Sequence, residues 1–129
     1  MIEVTEKALD VARLFAATDQ PGAGSVVVHV GVVKGEPAGG GKSAGLTLGR
    51  GGDMEAELAA IEADLRGRFP LVGVVIARRL GRLEVGDHIL FVGVSAADRD
   101  SAFAACRDAL ERVKFMKTLR KQEHYLSGK

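Results

Sequence analysis

Residues 86–103 read GDHILFVGVSAADRDSAF, an apolar run followed by a segment of helical character. The turn signal at Gly86 and Asp87, with the Ile, Phe and Val after it, predicts a strand that is buried on both faces. Ser95 stands three residues before Asp98, a spacing like that of a capping box. We therefore expect a strand, a short turn and an amphipathic helix. The predicted apolar face of that helix consists of Ala102, Phe103, Cys106, Ala109, Leu110 and Val113.

Two lysines after this helix, Lys114 and Lys121, are seven residues apart. If the helix continues, seven residues make about two turns, and both lysines share one face with Lys117. If the chain extends after Phe115, seven residues span up to roughly 23 Å, and the two amines act together only if the chain folds back. A solvated basic C-terminus is a third interpretation. The spacing leaves all three open.

Composition limits the possible functions. The chain of 129 residues fits one domain, residues 1–129, and its 18 Lys and Arg against 17 Asp and Glu give no general argument for nucleic-acid binding. The single Cys106 excludes an intrachain disulfide and is expected in the core. The three histidines lack the spacing of metal ligands, so we expect no metal site and no cofactor. With no membrane-length apolar run and no signal-peptide pattern, a cytoplasmic protein is expected.

The N-terminal third predicts a strand, a helix and a second strand. Residues 2–4 suit a short strand, and Thr5 is a candidate cap for a helix whose apolar face includes Phe15. The valines of residues 25–34 favour a central strand. His29 lies among them, as either a buried structural histidine or a ligand or base.

Residues 35–43 read GEPAGGGKS and end like a phosphate-binding loop. That motif requires a glycine where Glu36 stands, and it must open a helix, whereas residues 44–48 predict a strand. We therefore interpret residues 35–43 as a flexible Gly-rich loop between two strands, able to close over a site.

The middle of the chain predicts a helix and a strand. Asp53 is the expected cap of a helix that stops before Pro70, and its core stripe is Met54, Leu58, Ile61 and Leu65. A strand follows over residues 71–80. Arg78 and Arg79 at its end are either rim charges or part of an anion site. Strands that follow directly on strands indicate an α+β fold with a mixed or antiparallel sheet and three main helices, and residues 115–129 form a basic C-terminal segment.

Four stretches together resemble one known family, the large, catalytic subunit of molybdopterin synthase. They are Phe69-Pro70-Leu71, the segment from Arg79 to Asp87, residues 91–103, and Lys114 with Lys121-Gln122-Glu123. Their order and spacing agree with the family over about residues 25–123.

The resemblance implies an α/β hammerhead-like fold and a sulfurtransferase. In the implied reaction, a ubiquitin-like small subunit brings sulfur as a thiocarboxylate on its Gly-Gly C-terminus. The sulfur enters cyclic pyranopterin monophosphate, precursor Z, to form molybdopterin for molybdenum cofactor biosynthesis. The family also implies a homodimer in which each protomer binds one small subunit, making a heterotetramer. A non-catalytic paralogue that binds the small subunit without turnover is the alternative.

The resemblance also assigns residues by position. Lys114 and Lys121 match the catalytic lysines of the family. The matching substrate-binding positions are Val32, Val33, Lys34, Asp98, Arg99, Gln122 and Glu123. Asp98 stands where the family usually has histidine, and Lys34 where it usually has arginine. Because lysine lacks the planar fork of arginine, weaker phosphate binding is expected at Lys34.

Overall fold

The computed structural model describes residues 1–37 and 39–126, which form three helices and two β-sheets. The strands are β1 (Ile2–Thr5), β2 (Ser25–Val32), β3 (Ser43–Arg50), β4 (Leu71–Arg79), β5 (Gly81–Leu83), β6 (His88–Ala96) and β7 (Leu119–Tyr125). The helices are α1 (Val11–Thr18), α2 (Met54–Arg68) and α3 (Arg99–Lys114). Ala38 of the predicted loop and residues 127–129 of the predicted basic segment lie outside the described residues.

The two sheets confirm the predicted α+β class. The first has the strand order β1-β4-β6-β2, in which β1 pairs parallel with β4 and the other pairs are antiparallel. The second has the order β5-β3-β7 and is antiparallel. The first sheet is therefore mixed, as expected for strands that often follow one another without an intervening helix.

The first sheet separates two apolar clusters, because successive side chains of a strand point to opposite faces. On β4, Val74 and Ile76 join the main cluster under α2 and α3, whereas Val75 and Ala77 face α1 and its Leu14. On β6, residues 90–96 are all buried, which confirms the prediction of a strand buried on both faces.

Helix α2 forms as the sequence predicts. Asp53 is its N-cap and accepts a hydrogen bond from the Ala56 amide at 3.0 Å. The helix ends at Arg68, two residues before Pro70. The predicted stripe is buried: Met54, Leu58, Ile61 and Leu65.

The prediction for α1 is wrong in its start and its buried face. Thr5 belongs to β1, because the parallel pairing with β4 continues to Thr5 opposite Arg79. The helix begins at Val11 with Asp10 as its cap. As a result Leu14 is buried, whereas Phe15 is 44% exposed.

Two further expectations are corrected at β2 and its histidine. β2 lies at the edge of the first sheet and is half-buried, because only β6 pairs with it. His29 on this strand is exposed, so the interpretation as a buried histidine is wrong. The valines of an edge strand cannot by themselves distinguish it from a central one.

The start of α3 also differs from the prediction. Ser95 is buried and donates a hydrogen bond to the Thr18 carbonyl at 2.6 Å, so it does not cap the helix. Asp98 is the N-cap and accepts from the Ser101 amide at 2.8 Å. Phe103 is 58% exposed rather than part of the apolar face. The later core positions Cys106, Ala109 and Val113 are buried as expected.

Two kinds of feature are not found within residues 1–37 and 39–126. No helix in this part of the chain is long and apolar enough to cross a membrane. No three His, Cys, Asp or Glu side chains there are grouped so as to hold a metal ion.

Candidate active site

The chain reverses direction between α3 and β7. Helix α3 ends at Lys114, and β7 returns antiparallel along β3, with Lys121 opposite Leu48. The helix therefore does not continue from Lys114 to Lys121. Instead, the chain extends after Phe115 and folds back, which is the second of the three predicted alternatives. Up to Leu126, the basic segment is a sheet strand with a short extension and not a continued helix.

A carboxylate from α2 holds this reversal. Glu57 accepts hydrogen bonds from the backbone amides of Lys117 and Thr118, each at 3.0 Å, and from the Thr118 hydroxyl at 2.6 Å. Burial opposes ionisation of this carboxyl, but the hydrogen bonds from Thr118 and Lys117 outweigh it, so the pKa of Glu57 is lowered. The turn is thereby fixed to a helix 60 residues earlier in the chain.

The reversal brings both lysines to one cavity of about 430 Å³, here called the lysine cavity. Lys114 enters from the end of α3 and Lys121 from β7, and Arg78 of β4 lines the same space. Its remaining lining residues are His29, Gly31, Val32, Leu46, Leu48, Ile89, Leu90, Leu110, Val113 and Leu119. The cavity therefore combines apolar walls with three basic side chains and has no carboxylate in its lining.

A second cavity of about 530 Å³ is here called the loop cavity. It shares six lining residues with the first: His29, Gly31, Val32, Leu46, Ile89 and Lys121. Val33, Lys34 and Glu123 are added to its lining, together with Pro37 of the predicted loop. Lys121 therefore stands between two adjoining spaces.

The two amines differ in their contacts, because only Lys121 has a carboxylate nearby. The Nζ atom of Lys114 lies 5.6 Å from the ring centroid of Phe115, a cation–π contact on an exposed side chain. The Nζ atom of Lys121 lies 3.9 Å from Oε1 of Glu123, and the other oxygen of this carboxylate, Oε2, accepts a hydrogen bond from the Ser43 hydroxyl. Within the described residues, Lys114 has no carboxylate within 4.0 Å.

The predicted site residues divide into two groups. Around the cavities lie the two catalytic candidates and four of the substrate-binding candidates: Lys114, Lys121, Val32, Val33, Lys34 and Glu123. Gln122 lines neither cavity, because alternation along β7 turns it to the face opposite Lys121 and Glu123.

Asp98 and Arg99 are not brought to the cavities. They lie at the start of α3, and Lys114 lies at its end, so the helix separates them by about 22 Å. Asp98 faces its own helix as a cap, and the hydrogen bond from the Ser101 amide lowers the pKa of Asp98. Its carboxylate therefore caps α3 and does not contact Lys114 or Lys121 of the same chain.

Two ionisable cavity residues, His29 and Arg78, were not among the predicted site residues. His29 lines both cavities. The sequence allowed Arg78 to be either a rim charge or part of an anion site. Because Arg78 is 5% exposed, it is not a rim charge. The sequence did contain a sign that Arg78 is buried. It continues the series of every second residue formed by Val74 and Ile76, which places it on the core face of β4. No sequence signal pointed to Glu57.

Comparison with known proteins identifies the family of the chain. The family model for the MoaE protein matches residues 4–116. The molybdopterin synthase catalytic subunit of Nostoc sp. is 33% identical over 129 residues, which cover 97% of this chain and 76% of the relative. The structure of molybdopterin synthase from Staphylococcus aureus superposes with a TM-score of 0.88 at 28% identity, covering 98% of this chain and 92% of that one.

A more distant structure has the same fold. It is a protein–protein complex of subunits 1 and 2 of molybdopterin-converting factor from Helicobacter pylori. Its TM-score is 0.74 at 18% identity, with 99% of this chain and 91% of that chain covered. The chain belongs to the MoaE protein family, which includes the molybdopterin synthase catalytic subunits that it resembles.

Proposed function

We propose that this chain acts as the catalytic subunit of molybdopterin synthase through the cavity that Lys114 and Lys121 share. In this reaction the thiocarboxylate of a ubiquitin-like small subunit supplies sulfur to cyclic pyranopterin monophosphate. The observation that carries the proposal is the convergence of two lysines, seven residues apart, on one cavity without a carboxylate in its lining.

The charges of the cavity suit the reactants. A thiocarboxylate and a cyclic phosphate are both anions, so bringing them together requires positive charge nearby. Amines fixed beside the reacting carbon also lower the cost of negative charge that develops during sulfur transfer. The apolar walls lower the local dielectric constant and so strengthen these interactions. Lys114 and Lys121 are therefore proposed as the catalytic residues.

The loop cavity offers room for the second reactant. It joins the lysine cavity at Lys121 and carries Lys34, which is exposed at its rim. A Gly-Gly tail has almost no side-chain surface, so its recognition depends on backbone hydrogen bonds and on contacts to its terminal anion. The proposed arrangement places the tail and the pterin in adjoining spaces with Lys121 between them.

We assign the role of Arg99 to a second copy of the chain. The family resemblance implies both a substrate contact at Arg99 and a homodimer, but α3 keeps Arg99 about 22 Å from Lys114 of the same chain. A twofold dimer can satisfy both by placing Arg99 of one protomer at the lysine cavity of the other. With one small subunit on each protomer, the assembly is a heterotetramer. The proposed setting is the cytoplasm, where a thiol-type sulfur stays reduced.

The test compares three lysine variants in an assay with thiocarboxylated small subunit and cyclic pyranopterin monophosphate. Lys114→Ala and Lys121→Ala should each slow molybdopterin formation by on the order of a hundredfold, because each removes a charge at the reacting centre. Lys117→Ala is the matched control, since Lys117 lies in the same turn but its side chain lines neither cavity.

Binding of the small subunit is measured in parallel by calorimetry. The proposal expects both cavity variants to retain this binding while they lose turnover. Wild-type rates in Lys114→Ala and Lys121→Ala would contradict the assigned catalytic roles. A wild-type protein that binds the small subunit but forms no product would favour the non-catalytic paralogue.

A further inference from the structure

Arg78 occupies an unusual position for a charged residue. It follows Val74 and Ile76 on the core-facing side of β4, so its side chain runs beneath the last turn of α3 and is 5% exposed. One terminal nitrogen donates a long hydrogen bond of 3.4 Å to the Val113 carbonyl. The guanidinium thus lies in the interior of the protein, where it lines the lysine cavity.

This guanidinium has no anionic partner among residues 1–37 and 39–126. Its Nε atom is buried without any hydrogen-bond partner, and no carboxylate lies within 4.0 Å of the side chain. Burial lowers the pKa of Arg78, but an arginine side chain keeps its charge at neutral pH. A buried, unpaired charge is strongly destabilising, so its presence favours compensation by an anion that is not among the described residues.

The neighbouring arginine shows the contrast. Arg79 points to the opposite face of β4, lines a different cavity, and has a carboxylate oxygen of Asp87 at 3.7 Å. Both side chains carry a buried Nε atom without a hydrogen-bond partner, but only Arg79 has a counter-ion in the described chain. Arg79 therefore needs no ligand, whereas Arg78 faces an open cavity with two lysines and no acid in its lining.

We propose that Arg78 is an anion-binding residue of the lysine cavity, receiving a singly charged oxyanion that Lys114 and Lys121 also contact. This assignment rests on the proposed function. The planar fork of a guanidinium fits the paired oxygens of a carboxylate or a phosphate, and the apolar walls would strengthen such a bond. The reaction supplies two ligands of this chemistry, the carboxylate of the small-subunit tail and the cyclic phosphate of the pterin.

The assignment has a consequence that a purely structural arginine would not share. Arg78→Met keeps much of the apolar volume and removes a charge that has no counter-ion within residues 1–37 and 39–126. The free variant should therefore melt at the same temperature as the wild type or higher. Its anion affinity should nevertheless fall, since the charge is compensated only in the complex.

The experiment measures two affinities by calorimetry on the full chain: that for cyclic pyranopterin monophosphate and that for the small subunit with its C-terminal carboxylate. Arg78→Met should weaken one of them by about tenfold or more, because a charge-assisted bond is lost. Weaker pterin binding identifies the phosphate as the occupant, and weaker small-subunit binding identifies the carboxylate. Arg78→Lys should recover part of the loss, since it restores charge without the fork.

Arg79→Met is the matched control and should leave both affinities unchanged. The proposal is overturned if Arg78→Met binds both ligands as tightly as the wild type, or if Arg79→Met weakens them equally. If Arg78→Met does not fold, Arg78→Lys decides: it must bind one ligand more weakly than the wild type, and unchanged affinities overturn the proposal. A wild type that binds neither ligand would overturn the proposed function and this assignment with it.

Discussion

Asp98 shows how one residue can match a substrate position by sequence and yet have a structural role in its own chain. Its carboxylate caps α3 through the Ser101 amide. Asp98→Ala should therefore lower the melting temperature by a few degrees at neutral pH, whereas Asp98→Asn, an equally good cap, should not. Thermal unfolding of the three proteins is the measurement.

The same hydrogen bond sets the pH dependence. Because the folded-state pKa of Asp98 is lowered, its contribution to stability is complete above about 3.9, the usual pKa of an unfolded aspartate. It is lost as the pH falls through the lower folded-state pKa. The difference in melting temperature between wild type and Asp98→Ala should therefore shrink in strong acid. A constant difference down to that range would contradict the capping role.

At the level of single residues, chemistry was easier to predict than environment. The sequence assigned positive charge to Lys114, Lys121 and Arg78, but it could not show which charges would be buried. For Arg78 the answer depends on the end of α3 reaching its side chain, a contact between residues that are 35 positions apart. His29 was misplaced for a similar reason, since nothing local to its strand indicates that the strand is an edge.

Among the elements, the turn between α3 and β7 does most to build the site. Glu57 holds it with three hydrogen bonds, and it is a positioning residue because it touches neither cavity. Glu57→Gln should let the turn loosen and shift Lys121 relative to Lys114. Small displacements of reacting groups are costly, so we expect kcat to fall about tenfold or more.

The control for this variant is Glu55→Gln on the same helix. Glu55 pairs with Arg50 and does not contact the turn, so its variant should retain kcat. The measurement is steady-state molybdopterin formation at saturating substrates, together with a melting curve. Equal kcat values in Glu57→Gln and Glu55→Gln would contradict the positioning role.

Elements with strong local signals were predicted well, and those that depend on partners were not. Helix α2 has a cap at Asp53, an apolar stripe and a stop at Pro70, and all three agree with the structure. Strands β5 and β7 were not predicted. β7 reads LRKQEHY, which has no clear apolar alternation. It forms a strand because it pairs with the edge of β3. β5 has only three residues.

For the whole molecule, the proposed dimer makes a prediction about complementation. Arg99→Ala and Lys114→Ala should each be nearly inactive alone, at on the order of a hundredth of the wild-type rate. If Arg99 serves the cavity of the partner protomer, a mixed dimer regains one intact site out of two. Random reassociation of equal amounts makes half of the dimers mixed, so about a quarter of wild-type activity should return.

Activity after mixing and reassociation is the measurement. A mixture of Lys114→Ala with Lys121→Ala is the control, because these two residues line one cavity of the same chain. No mixed dimer then has an intact site, and activity should stay absent. The arrangement across protomers would be contradicted if the Arg99→Ala and Lys114→Ala mixture also stayed inactive.

At this scale the family resemblance predicted more than physical reading of the residues did. The mixed sheet and three helices followed from the order of strands and helices. The convergence of Lys114 and Lys121 did not, since it requires β7 to return along β3 and Glu57 to hold the turn. Such long-range contacts leave no periodic trace in the sequence.

The central claim is that this chain is a working molybdopterin synthase catalytic subunit. It is tested most directly by mass spectrometry of the pterin formed when the wild-type chain, a thiocarboxylated small subunit and cyclic pyranopterin monophosphate are mixed. We predict a product that has gained two sulfur atoms as a dithiolene, with the small subunit recovered as its carboxylate. Unchanged pterin from a mixture in which the small subunit is bound would contradict it.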